Sequence, residues 1–87
     1  MYENSPDDRF EAALRLAEDD PIRGGEALRA IAGDDVFDPD TRFEAAARLA
    51  EVDEAKAADA LRSIVADQAF DSDIRGEAAA RLAEVGG

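Results

Sequence analysis

The chain has 87 residues, 22 of them acidic and 10 basic, for a formal net charge of −12. That is one small domain, and its charge disfavours phosphate backbones and anionic membrane surfaces as partners. Without cysteine or histidine there is no disulfide framework, no thiolate metal site and no ordinary nucleophile–base pair.

In chain order, the first predicted element is a helix opening at Ser5-Pro6. Ser5 can cap the unsatisfied N–H groups of the first turn, and proline loses nothing at a position whose N–H has no partner. At 100° per residue, Phe10, Ala13, Leu14, Leu16 and Ala17 share one broad face, with Glu11, Arg15 and Glu18 opposite. A second helix opens near Asp20-Pro21 and gathers Ala27, Leu28, Ile31 and Ala32 on its apolar side. Gly24-Gly25 lie towards that side, where their small size lets two helices approach. The linker "GDDVFDPD" then sets Phe37 among aspartates.

From Asp38-Pro39 the pattern starts again, and sliding the chain by 33 residues shows why. Arg9-Phe10-Glu11-Ala12-Ala13 falls on Arg42-Phe43-Glu44-Ala45-Ala46, and Arg15-Leu16-Ala17-Glu18 on Arg48-Leu49-Ala50-Glu51. Ala27-Leu28-Arg29 falls on Ala60-Leu61-Arg62, Asp34 on Asp67 and Phe37 on Phe70. A fourth helix therefore opens near Asp53-Glu54, with Ala57-Ala58 in place of the glycine pair and Ala60, Leu61, Ile64 and Val65 as its apolar side. A second step of 33 carries Arg42, Glu44, Ala45, Ala46 and Leu49 onto Arg75, Glu77, Ala78, Ala79 and Leu82. This fifth helix, capped by Asp71, has Gly76 where the earlier copies have phenylalanine, and no second helix follows it. The chain is thus a single domain, 1–87, of two units, 5–37 and 38–70, and a half unit, 71–87. The predicted fold is all-α, a short α-solenoid of about five helices in two and a half helix-hairpin repeats.

Repetition also assigns the polar residues. Phe37 and Phe70 are expected to plug the joints between units. Glu11→Arg15, Glu44→Arg48 and Glu77→Arg81 are favourable i,i+4 pairs. Arg9, Arg42 and Arg75 edge the apolar stripe and are expected to pair with carboxylates, either Asp38→Arg42 and Asp71→Arg75 at i,i+4 or Asp34 and Asp67 from across the joint. Asp34, Asp35, Asp38 and Asp40 crowd one linker and Asp67, Asp71 and Asp73 the next, but no calcium-loop glycine or terminal bidentate glutamate accompanies them. They are read as helix caps and first-turn acids. Gly86-Gly87 is read as a helix stop with a flexible end.

At "DPDTRFEAAARLAEVDEAKAADALRSIVAD" the sequence resembles HEAT-like repeats of the bacterial type (the armadillo-type and PBS-lyase-like group). Such units open Asp-Pro-x-x-Arg, continue Ala-Ala-x-x-Leu, and carry Ala-x-x-Ala-Leu on the second helix. The matching residues are Asp38, Pro39, Arg42, Ala45, Ala46 and Leu49, then Ala57, Ala60 and Leu61. The tryptophan and Leu-Gly pair of tetratricopeptide repeats and the Thr-Pro-Leu-His of ankyrin repeats are missing. The resemblance implies an α-solenoid that binds other proteins and has no shared catalytic residues.

No catalytic residue, cofactor or metal is expected, and neither nucleic acid nor membrane is an expected partner. No stretch reaches the roughly 18 apolar residues of a membrane span, and Tyr2 to Asp8 lack the basic start and apolar run of a signal peptide. A cytoplasmic location is expected. The expected function is non-catalytic protein–protein interaction. The alternatives are an acidic inhibitor, immunity or nucleic-acid-mimic protein covering a basic surface, and a docking piece of a larger assembly. Candidate binding residues are Gly76, Ala79, Leu82, Ala83 and Val85 on the fifth helix, and the polar row Glu11, Arg15, Glu44 and Arg48, extended by Glu18 and Glu51. The fifth helix carries more apolar surface than one neighbour can cover. It is therefore the expected edge for a partner with a basic surface, or for a second copy of the chain in a homodimer.

Overall fold

The computed structural model describes residues 5–85 and is all-helical. The predicted glycine stop at 86–87 and the first four residues lie outside that range. Its helices are α1 (Pro6–Asp19), α2 (Pro21–Ala32), α3 (Pro39–Leu49), α4 (Glu54–Ala66) and α5 (Ser72–Glu84). Each begins where a short oxygen side chain can meet the orphan N–H groups of a first turn. Ser5 Oγ accepts from the Asp8 N–H at 3.2 Å, and the Asp8 carboxylate accepts from the Ser5 N–H at 3.5 Å, which closes a capping box. Asp20, Asp38, Asp53 and Asp71 cap the other four helices by accepting from the N–H three residues on.

Consecutive helices pack on one another, α2 also touches α4, and α3 also touches α5. This places α1, α3 and α5 in one layer and α2 and α4 in the other. The Cα envelope measures 40 × 25 × 13 Å. Two helices with Cα radius of about 2.3 Å and axes roughly 9 Å apart span about 13–14 Å, so the thin dimension is two helices deep.

The core runs along the joint between the layers and is built largely from alanine. Ala45, Ala46, Leu49, Ala57, Leu61 and Ala78 are completely buried, with Leu28, Ile31, Ile64, Phe37 and Phe70 nearly so. Small side chains bring helix axes close, and the few large ones then fill what remains. α3 is the most enclosed helix of its layer, since it packs on α2, α4 and α5.

The glycine pair divides its work between two neighbours. A Cβ on Gly24 would lie 2.1 Å from the Ala17 Cα and 2.3 Å from its N, so α2 crosses α1 at a separation only glycine permits. A Cβ on Gly25 would sit 3.6 Å from Leu49 Cδ1 and 3.7 Å from Val52 Cγ2, an ordinary contact with the next unit. The expectation that both glycines serve one helix approach is corrected: Gly24 serves α1, and Gly25 faces the following unit. In the second unit Ala57 stands at the Gly24 position, so α4 cannot approach α3 as closely as α2 approaches α1.

Gly24→Ala and Gly25→Ala should therefore move stability in opposite directions in urea unfolding. Gly24→Ala must push α1 off α2 and should cost about 1–3 kcal/mol. Gly25→Ala fills allowed space and should add roughly 0.5–1 kcal/mol through helix propensity.

Candidate protein-binding surface

The three copies of the first helix act as internal controls for what each face meets. At the first position, Ala45 and Ala78 are fully buried while Ala12 is exposed, so this position faces the preceding unit. At the next, Ala13 and Ala46 are buried while Ala79 is exposed, so this one faces the second helix of the same unit. Leu49 faces both and is completely buried, whereas Leu16 and Leu82 are half-buried. Among the described residues, nothing holds against α5 the place that α2 holds against α1.

The uncovered side of α5 is accordingly apolar and small. Ala79, Ala80 and Ala83 are exposed, and a Cβ on Gly76 would meet nothing within 4 Å. Ile74, Leu82 and Val85 are half-buried, with one side packed on the core. The opposite end of the array is open too: Ala12, Leu16, Ala27 and Ala30 line a shallow depression over Ile31. Sequence reasoning passed over this end, although the 33-residue register signals it by equating exposed Ala12 with buried Ala45.

Glu11, Arg15, Glu18, Glu44, Arg48 and Glu51 are all exposed. Glu18, Arg48 and Glu51 rim a cleft with a floor of Leu14, Ala17, Leu28 and Val52. No α5 residue lines this cleft, so the two groups of candidate residues form separate surfaces. Of the three predicted i,i+4 pairs, Glu44–Arg48 forms at 3.3 Å. Among the described residues Glu11–Arg15 and Glu77–Arg81 do not form, and Arg81 instead lies 5.9 Å from the centroid of the Phe43 ring.

The repeated arginines do more than edge the core. Arg9 lies over the Phe37 ring at 4.8 Å and approaches the Asp34 carboxylate at 3.8 Å. Arg42 lies over Phe70 at 4.5 Å, approaches Asp67 at 4.0 Å, and donates from Nε to the Ala32 carbonyl at 3.0 Å. Its side chain is only 12% exposed, against 47% for Arg9. Each contact lies within the range at which a guanidinium is attracted to a ring face.

Both joints present the ring and carboxylate in the same turn. The Phe37 N–H donates to the Asp34 carbonyl and the Phe70 N–H to the Asp67 carbonyl, at 3.1 and 3.2 Å. Asp34 Oδ1 and Asp67 Oδ1 accept from the N–H two residues on, at 3.0 and 2.9 Å, leaving their second oxygens for arginine. The i,i+4 pairs Asp38–Arg42 and Asp71–Arg75 do not form among the described residues. Asp38 and Asp71 instead accept N–H bonds from Thr41 and Ile74 at 2.7 and 2.9 Å. Sequence reasoning treated the arginine ladder and the phenylalanine plugs separately. Their constant offset of 28, from Arg9 to Phe37 and Arg42 to Phe70, was the signal that joined them.

Arg75 breaks the series. Its Nε is buried and has no hydrogen-bond partner, whereas the Arg42 Nε has the Ala32 carbonyl.

Among the described residues no three carboxylates converge as a metal would require, and no helix is long and apolar enough to cross a membrane. The Thr41 N–H and hydroxyl lower the Asp38 pKa, and the Lys56 N–H, helped by its ammonium group, lowers that of Asp53. Because both are lowered in the folded state, their stabilisation is present above the ordinary aspartate range. It is lost as pH falls through the lowered values.

Carboxyl-carbon NMR titration should find Asp38 and Asp53 below the ordinary aspartate value. In urea unfolding Arg42→Gln should destabilise by about 1–2 kcal/mol, since it strands the Ala32 carbonyl and uncovers Phe70, and should exceed Arg9→Gln. No family model, curated protein or solved structure matches the chain.

Proposed function

We propose that the protein is a non-catalytic protein-binding module, a short α-solenoid of HEAT-like repeats acting as an adaptor or scaffold. One observation supports this above all: α5 keeps an apolar side of Gly76, Ala79, Ala80 and Ala83 in solvent, at the position where Ala13 and Ala46 are buried by a helix. An alanine-rich strip of this kind accepts a helix at close range. The repeat resemblance points the same way. On this reading the polar row on α1 and α3 is solvated surface flanking the Leu14–Val52 cleft, and no cofactor is required.

The charge of −12 favours a second reading, an acidic inhibitor, immunity or mimic protein that covers a basic target surface. The two differ in their response to salt, because exposed ion pairs are screened within about 8–10 Å at physiological ionic strength while apolar burial is not. A docking piece of a larger assembly would use the same α5 strip.

The test is retention of native cytosolic proteins, identified by mass spectrometry, at low and moderate salt. Three baits are compared: wild type, Ala79→Glu with Ala83→Glu, and a charge-reversed Glu11, Arg15, Glu44 and Arg48 row. An adaptor that uses α5 should hold the same protein at both salt concentrations, lose it with the alanine substitutions and keep it when the row is reversed. A protein lost at moderate salt or on row reversal, and unaffected by the alanine substitutions, would favour the mimic.

A further inference from the structure

We infer that the cleft between α1 and α3 is a docking site for a basic segment of another protein, which seats an apolar side chain on the floor and sets a lysine or arginine against Glu18 and Glu51. This surface is separate from the α5 strip, so the inference goes beyond the adaptor reading and does not depend on what α5 meets.

The cleft follows from the packing. α3 packs directly on α5, whereas α1 and α3 meet mainly through α2, which leaves a groove between them of about 300 Å³. That is the lower end of the roughly 300–1,000 Å³ range of ligand pockets, room for one or two anchoring side chains. Its floor is Leu14, Ala17, Leu28 and Val52. Leu28 is almost fully buried, and half-buried Leu14, Ala17 and Val52 are the part that an incoming side chain would touch.

The charges around the mouth select the partner. Glu18, Arg48 and Glu51 form the rim. Arg48 is engaged by Glu44 at 3.3 Å, whereas neither Glu18 nor Glu51 has an ion pair among the described residues. The C-terminal end of α1 adds to this imbalance. α2, α3 and α5 each carry an arginine in the last turn, which offsets the partial negative charge of a helix C-terminus. α1 has no basic residue there and ends on Glu18-Asp19, so its carboxylates reinforce that negative end. A cation docked against Glu18 supplies the charge that this helix lacks.

The chain does not provide that cation itself. Its one lysine, Lys56, is held by Asp53 at 3.4 Å, and residues 1–4 and 86–87 include neither lysine nor arginine. A second copy would bring a further −12, so charge complementarity favours a different, basic partner.

The probe is a labelled amphipathic helical peptide built of leucine and lysine, titrated into the full-length protein and followed by fluorescence anisotropy and amide NMR shifts. Saturable binding is expected, with shifts centred on Leu14, Ala17, Glu18, Glu51 and Val52. Affinity should fall about tenfold when the leucines become alanine at unchanged charge, and about tenfold for Glu18→Gln with Glu51→Gln. Glu77→Gln with Glu84→Gln removes the same charge from α5 and should bind as wild type. All four glutamates are exposed, so neither pair of substitutions disturbs the core. No binding, equal weakening by both pairs, indifference to leucine, or shifts centred on another surface overturns the inference. So does spermidine binding as tightly as the peptide, which would make the cleft an amine site, or a dimer of the free protein that the peptide dissociates. The adaptor reading is tested apart from these outcomes, by whether a cytosolic protein requires Ala79 and Ala83.

Discussion

Each full unit is closed by one interaction, an arginine from the start of its first helix lying on the phenylalanine of the linker that follows its second. The ring alone would be a hydrophobic plug, and burying it contributes about 1.5–3 kcal/mol. The guanidinium converts the plug into a clamp. Its face covers the ring, its edge reaches the aspartate that shapes the turn, and in Arg42 its Nε also satisfies a carbonyl at the C-terminal end of the preceding unit's helix. Three elements, α2, α3 and the linker after α4, thus meet on one side chain. The large difference in exposure between Arg42 and Arg9 follows from position, because Arg9 has no earlier unit to lean on.

The rest of the architecture follows from how small the side chains at the helix joints are. Alanine brings the layers close, and glycine at position 24 brings α1 and α2 closer still. A core of this kind gains less from each residue than a leucine core would, and depends on every face being covered. α3 meets that condition and is buried at Ala45, Ala46 and Leu49. α5 meets it on one side only: Ala78 is buried, while Ala79, Ala80 and Ala83 stay exposed.

Much of the fold was legible in the sequence because its signals are local. Ser or Asp before a helix, often with proline next, marks each start. The 33-residue self-match sets the number of units, and the buried phenylalanines could be read from their isolation among aspartates. What escaped was set by competition or by distance. Asp38 could have paired with Arg42, but a short bond to the Thr41 N–H in the first turn holds its oxygen, while Asp67 reaches Arg42 from the next linker. The opposite duties of Gly24 and Gly25 depend on which neighbour each one meets, which a helical wheel of a single helix does not contain. The exposed row on α1 and α3 was legible as surface, but the cleft beside it requires α1, α2 and α3 together.

The most direct measurement is a double-mutant cycle between Arg42→Gln and Phe70→Leu, read by urea unfolding. Leucine keeps an apolar filler at the joint and removes the ring face. If arginine and ring act as one clamp, the two losses should couple by about 0.5–1.5 kcal/mol, the double variant losing less than the sum of the singles. Losses that add to within roughly 0.3 kcal/mol would show that arginine and ring act independently, and would contradict the clamp.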